Sequence, residues 1–135
     1  MREILLDTNF LLIPYQFKVD IFTQINKIAT FKYGLFILDK TLEELKKIVS
    51  EQKGKDKDAA KIALKLIALK NIEVIKTKSN EKTDDIILEL SSKEDFIVAT
   101  QDKELKAKLK QKNVPLMVLR QKKMVVFFDP KGSYC

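Results

Sequence analysis

Carboxylates are the groups through which this chain can do chemistry. Its 135 residues include no histidine, one cysteine and three glycines. Without imidazole there is no histidine general base, no Ser–His or Cys–His dyad and no histidine metal site. A lone cysteine at the last position, Cys135, leaves neither a zinc cluster nor an internal disulfide. Gly34, Gly54 and Gly132 are too scattered for a phosphate-cradling loop or a dinucleotide fingerprint. What remains is chemistry from carboxylates, lysines or hydroxyls, which points to hard cations held by oxygen.

Four acids stand out by position. Asp7 directly follows the apolar run at residues 3–6 and opens Asp-Thr-Asn, and Asp102 follows the run at 96–99 through Thr100-Gln101. If both runs are strands of an open parallel sheet, both acids lie just beyond strand carboxyl ends, where such sheets carry their sites. Each is equally suited to cap a helix. At about 100° per residue, a helix over 41–52 turns Leu42, Leu45, Ile48 and Val49 to one side; Glu44 falls at the margin of that side and Glu43 nearly opposite it. Over 83–91, Ile86, Ile87 and Leu90 build the apolar side, with Asp84 at its edge and Asp85 turned away. The Asp84-Asp85 pair also complements a helix N-terminus. Asp7, Glu44, Asp84 and Asp102 packed together would repel and raise one another's pKa unless a cation neutralised them. Mg²⁺ or Mn²⁺ held by one to three carboxylates and waters would activate a water and stabilise charge on a phosphodiester.

The elements that would position these acids are legible as alternating short apolar runs and helical periods. Strands are expected at residues 3–6, 35–38, 72–75, 96–99 and 116–119, with an edge strand at 124–128. Helices are expected at 19–29, 41–52, 57–69, 83–91 and 103–111. Strands of four to six residues separated by helices imply an α/β fold with a mostly parallel sheet covered on both faces. Residues 8–18 read as irregular, and 50–58 and 77–82 as loops. One domain over residues 1–130 and a short frayed tail at 131–135 are expected. The helix at 58–69 is apolar enough either to press into the core or to meet a second copy of the chain. No apolar run reaches the roughly 18–20 residues of a membrane span, and Met1-Arg2-Glu3 is too short a lead for a signal peptide, so a cytoplasmic protein is expected.

From residue 1 to about 120 the chain resembles the PIN-domain family. The resemblance rests on four pieces in order: a hydrophobic strand with Asp-Thr-Asn at 4–9, Leu-Glu-Glu-Leu at 42–45, Thr-Asp-Asp-Ile at 83–86, and Ile-Val-Ala-Thr-Gln-Asp at 97–102. The sixteen-residue step from Asp84 to Thr100 also agrees. It implies a three-layer α/β/α sandwich and an Mg²⁺- or Mn²⁺-dependent ribonuclease whose acidic quartet is Asp7, Glu44, Asp84 and Asp102. Thr8, Asn9 and Thr100 match the polar residues that support that pocket, and Asp85 is an optional metal ligand because the paired aspartates leave the alignment open by one. Gln101 stands where Asn or Arg is more usual. Two branches fit: VapC-type toxins, usually dimers held inactive by an antitoxin, and archaeal-type stand-alone proteins resembling rRNA-processing nucleases, whose partner would be a pre-ribosomal particle. Residues 8–14 and 118–123 look more like the second branch. A catalytically inactive RNA-binding PIN protein is the further alternative.

Charge agrees with RNA as partner. The chain carries 26 Lys and Arg against 19 Asp and Glu, a net +7, and a basic surface favours polyanions through counterion release. Lys103, Lys106 and Lys110 recur at helical spacing from Asp102, and Arg120 and Lys122 follow the next strand. They form either a phosphate track or a solvated face. Tyr15 and Phe17 would stack on a base or pack locally. A receiver- or phosphatase-like fold would need a tight Asp pair after one strand, whereas Asp7 has Thr and Asn as neighbours.

Overall fold

Alternation at period two decides how the strands are used. The computed structural model describes residues 1–78, 80–93 and 95–130. In chain order its elements are β1 (Arg2–Leu6), α1 (Thr8–Leu11), α2 (Ile13–Phe17), α3 (Ile21–Ile28), β2 (Tyr33–Leu38), α4 (Asp39–Glu51), α5 (Lys55–Leu69), β3 (Glu73–Ile75), α6 (Thr83–Lys93), β4 (Phe96–Ala99), α7 (Lys103–Gln111), β5 (Leu116–Arg120) and β6 (Met124–Phe128). Successive side chains of β1 and β4 go to opposite faces of the sheet. Ile4, Leu6, Ile37, Ile97, Ala99 and Met117 join the core that α1–α5 cover through residues such as Phe10, Ile25, Leu45 and Ala63. Leu5, Leu38, Phe96, Val98 and Leu116 join a second core under Ile86 and Ile87 of α6 and Leu105 and Leu109 of α7. The central strands are therefore apolar on both sides, as a sheet covered on both faces requires. The result is the expected α/β/α sandwich.

Among the described residues the sheet has six strands in the order β3-β2-β1-β4-β5-β6. β1 is parallel to β2 and β4, β2 to β3, and β4 to β5; β6 turns back antiparallel to β5. The chain builds outward from β1 to β3 on one side, then crosses to β4 and builds the other half. The seam between β1 and β4 is where strand order reverses, the place beyond whose carboxyl ends open parallel sheets carry their sites. Ile4 pairs with Ile97 and Leu6 with Ala99, so Asp7 and Thr100 leave the sheet side by side.

The strand and helix positions follow the sequence reading closely, with three corrections. Residues 8–18 are not irregular: they form the short helices α1 and α2, capped by Asp7 and closed by Lys18 in the left-handed region (φ 57°). Helices of four and five residues are too short to show a period, and Phe10-Leu11-Leu12-Ile13 followed by Pro14 is a continuous apolar run. The burial of Phe10, Leu11 and Ile13 holds them in place. The loop expected at 50–58 shrinks to the few residues around Gly54, since α4 runs to Glu51 and α5 starts at Lys55. β2 begins two residues early, at Tyr33. The tail at 131–135 lies outside the described residues. In α5, Ala59, Ala60, Ala63 and Ile67 are buried while Ile62 and Leu69 are exposed, so it is a core helix with an apolar fringe. No described helix is long and apolar enough to cross a membrane.

Because α1 exists through packing rather than propensity, its anchor is Phe10, which is fully buried. Phe10→Ala is expected to lower the unfolding free energy by about 3–5 kcal/mol, the usual range for a large buried aromatic. A shift in the urea midpoint corresponding to less than about 1 kcal/mol would mean the site collapses around the gap.

Candidate active site

Asp7 is the meeting point of the two strand ends. Its amide donates to the Ala99 carbonyl at 2.9 Å, extending the β1–β4 ladder by one bond. One carboxylate oxygen accepts the Thr8 amide at 2.9 Å, and the other accepts the Thr100 hydroxyl at 2.8 Å. The residue is only 5% exposed. Helix capping and pocket formation are thus not alternatives here, because Asp7 caps α1 with one oxygen and faces Thr100 with the other. Burial pushes its pKa up to about 6 despite the Thr100 and Thr8 hydrogen bonds, with the charges of Asp84 and Glu44 adding to the rise.

Thr100, fully buried, relays this contact onward. Its hydroxyl oxygen accepts the Asp102 amide at 3.1 Å while its proton goes to Asp7. Asn9 braces the same turn, its side-chain oxygen accepting the Gln101 amide at 2.9 Å. Gln101 in turn accepts the Leu119 amide at 2.8 Å, tying the turn to β5. The departure at this position therefore has a structural use. Asp102 caps α7 by accepting the Leu105 amide at 3.0 Å.

Glu44 and Asp84 reach this edge from opposite layers. Glu44 is solvent-exposed but anchored: one oxygen accepts the Thr8 hydroxyl at 2.8 Å and the Thr83 hydroxyl at 3.3 Å. The Thr8 hydroxyl also approaches that of buried Thr41, at 3.4 Å. Asp84, in the first turn of α6, is half-buried, and Asp85 beside it is exposed. Burial raises the Asp84 pKa, followed by the charges of Asp102, Glu44 and Asp85, while Lys108 works against them. Asp84 therefore lies in the field of Asp102, Glu44 and Asp85, and Asp7 in that of Asp84 and Glu44. Glu43 is exposed.

The hydroxyls of Thr41 and Thr83 were not singled out from the sequence. Thr41 lies one helical turn before the buried Leu45, and Thr83 directly precedes Asp84; those spacings were the available signals. Asp39 is a further acid at the same sheet edge. Its burial is outweighed by hydrogen bonds from the Thr77 amide and hydroxyl, which hold its pKa below the usual range. It braces the segment leading from β3 toward α6.

Among the described residues, no three His, Cys, Asp or Glu side chains stand close enough to hold an ion by themselves. The donor set is entirely hard oxygen and is underneutralised locally, as the raised Asp7 and Asp84 show. Such a set fits a cation that keeps several waters and takes only one or two carboxylates directly, as Mg²⁺ commonly does.

The basic residues divide. Lys106, Lys110 and Arg120 line one groove between α7 and the β5–β6 hairpin, and Lys103 is exposed at the start of α7. Lys122 turns elsewhere, its ammonium 5.8 Å from the ring centre of Phe17. Phe17 packs against the core under α1–α5. Lys18 covers the Tyr15 ring at 4.2 Å. Local packing thus accounts for both aromatics.

Comparison with known proteins places this geometry in context. The PIN-like domain family matches residues 4–122. Ribonuclease VapC4 of Methanocaldococcus jannaschii is 34% identical over 128 residues, covering 95% of this chain and 98% of its own length. Ribonuclease VapC9 of Archaeoglobus fulgidus is 36% identical over 126 residues, covering 93% and 88%. The PIN domain endonuclease Utp24 is similar in fold, with a TM-score of 0.75 at 23% identity over 93% of this chain and 90% of that one.

The Asp7 environment has a pH signature. The folded chain holds the Asp7 proton more tightly than the unfolded chain, whose pKa is near 3.8. Well below pH 3.8 the carboxyl is neutral in both states and carries no penalty; above that the unfolded chain ionises first, and the folded state loses stability until its own buried carboxyl ionises near pH 6. In metal-free buffer, the stability of Asp7→Asn relative to the parent is expected to rise between pH 4 and 7. The gain should be on the order of 3 kcal/mol at most. Urea unfolding of both proteins across that range reads it directly, and a difference independent of pH would show that Asp7 ionises as freely folded as unfolded.

Proposed function

The chain belongs to the PIN-like domain family, and on that premise we propose that it is an endoribonuclease that works with a divalent cation, Mg²⁺ or Mn²⁺. The observation that carries the reading is the buried Asp7 at the β1–β4 seam, fixed by Thr8 and Thr100, its pKa raised by burial with Asp84 and Glu44 adding to the rise. A carboxylate kept under such tension is costly to the fold, and sites of that kind are common where function requires them. The names of the two curated relatives supply the reaction class and RNA as substrate.

In this reading one or two of Asp7, Glu44, Asp84 and Asp102 would hold the cation directly, and the others, with Asp85, would contribute through water. When bound, the cation activates a water and offsets charge on the phosphodiester. The protein's own part is positional. The Thr100 hydroxyl and the Thr8 amide fix both oxygens of Asp7, so its carboxylate cannot rotate away. Thr8 and Thr83 hold Glu44 over the end of β1 although it stands in solvent. Asn9 and Gln101 keep the turn before Asp102 attached to the sheet.

For biological role, the names and near-complete overlap of the curated relatives favour a VapC-like ribonuclease with an antitoxin-type protein partner. A role in ribosomal RNA processing draws on residues 8–14 and 118–123. Growth arrest on expression, abolished by Asp7→Asn, is expected of the first role; unimpeded growth with accumulation of cut precursor rRNA is expected of the second.

Two measurements test the chemistry. Asp7→Asn, Asp84→Asn and Asp102→Asn should each slow metal-dependent cleavage of a labelled RNA by roughly 10²-fold or more, as losing a key electrostatic group does. Glu44→Gln should harm it far more than Glu43→Gln, and Asp84→Asn more than Asp85→Asn. Near-normal cutting by Asp7→Asn would sink the site. Separately, Mn²⁺ should raise the melting temperature of the parent by mass action but not that of Asp7→Asn. Equal shifts would place the cation elsewhere.

A further inference from the structure

A second feature lies along the flank of the molecule, away from the carboxylates. Val118 pairs with Val126 across the β5–β6 hairpin, and Leu116 pairs with Phe128. Cross-strand partners share a face, and here it is the face that α7 covers through Leu105 and Leu109. α7 does not extend over β6. A groove of about 460 Å³ is left between them, with Val118, Val126 and Phe128 as its floor. Phe128 is 51% exposed, a high value for a phenylalanine next to a core. Lys106, Lys110 and Arg120 line the groove, and among the described residues no carboxylate does. The Lys110 ammonium stands 5.8 Å from the Phe128 ring centre.

One end of the groove lies toward the sheet edge that carries the site. β5 is parallel to β4, so Arg120 at its end lies on the same sheet edge as Asp7 and Asp102. Lys106 is one helical turn from Asp102, its amide donating to the Asp102 carbonyl at 2.9 Å. From there α7 runs back along the flank, and Lys110 follows about 12 Å from Asp102 at the ordinary helical rise. Phe128 pairs with the first residue of β5, at the far end.

We propose that this groove is a single-stranded RNA subsite, in which Arg120, Lys106 and Lys110 bind successive phosphates and a base stacks on Phe128. The proposal rests on the nuclease reading for its ligand and deepens it by naming a path for the strand. Charge complementarity decides the occupant: three cations without a carboxylate among the lining residues fit a polyanion, and an exposed aromatic ring at the far end fits an unpaired base. A duplex, with its bases stacked inside, has no use for the ring. Lys122, turned toward Phe17, is not part of this path.

The test uses the intact chain in metal-free buffer, where cutting is suppressed, and a fluorescent single-stranded RNA of about twelve nucleotides carrying 5-iodouridine. Phe128→Ala should weaken binding roughly 5- to 100-fold, the range of one base–aromatic stack, while Phe128→Trp should retain it. Retention by tryptophan separates stacking from a folding defect. Changing Lys106, Lys110 and Arg120 together to Gln should flatten the dependence of log K on log salt by up to about two units, at about 0.7 per contact. Photocrosslinks should map to Phe128 and its strand neighbours. The subsite is overturned if Phe128→Ala binds as the parent does, if crosslinks fall only outside the groove, if RNA does not bind at all, or if the groove instead takes a protein partner that RNA fails to displace. Cleavage with Mn²⁺ but no crosslink in the groove would overturn the subsite and leave the nuclease. Crosslinking at Phe128 without any metal-dependent cleavage would support the subsite and overturn the nuclease.

Discussion

The hydrogen bond from the Thr100 hydroxyl to Asp7 joins the two strand ends at which the sheet reverses its order. Parallel pairing of β1 with β4 sets Asp7 and Thr100 side by side, and the Asp7 amide closes the ladder on Ala99. A carboxylate fixed in that seam must be either protonated, hydrogen-bonded or offset by a cation, because burial penalises its charge. The surrounding polar groups follow from that constraint. Thr8 supplies an amide to Asp7 and a hydroxyl to Glu44. Asn9 and Gln101 hold the turn that presents Asp102.

The same seam is built from all three layers. β1 and β4 provide Asp7 and Asp102, α4 on one face brings Glu44, and α6 on the other brings Asp84. Three of the four acids are also engaged by ordinary helix-end chemistry: Asp7 and Asp102 cap helices, and Asp84 lies in a first turn. Helix N-termini favour negative charge, so the backbone itself offsets part of the repulsion that gathering the acids creates. Capping and pocket formation cooperate here, and a fold that needs the caps retains the acids.

Signs of charge are segregated over the surface. Negative charge is concentrated beyond the strand ends, while the cations of α7 and Arg120 lie along the adjacent flank. With a net +7 the whole chain attracts a polyanion, but the pocket alone would repel it. A bound cation would reverse that local field, and the lysines of α7 would act whether or not it is present. The antiparallel turn of β6 matters to this division, since it adds a strand that α7 leaves uncovered.

Much of this was determined by the sequence alone. Strand–helix alternation with apolar runs at β1 and β4 dictates a sheet covered on both faces, because side chains of period two leave no polar side. Helical phase singled out Glu44, which the structure ties to the Thr8 and Thr83 hydroxyls, and Asp84, which is half-buried where Asp85 is exposed. The absence of histidine confined the chemistry to oxygen. Tertiary structure decided the rest. Whether Asp7 capped a helix or faced a pocket had no answer in the sequence, since both roles ask for the same residue; the β1–β4 register gave it both. α1 and α2 were illegible because helices of one turn have no period to read, and they persist through the burial of Phe10 and its neighbours. The basic residues looked like one track along the chain, yet Lys122 stands over Phe17, while Phe128 from β6 lines a groove with Lys106, Lys110 and Arg120. Proximity across a sheet is set by strand order and register, and residues brought together that way leave no spacing in the sequence to find them by.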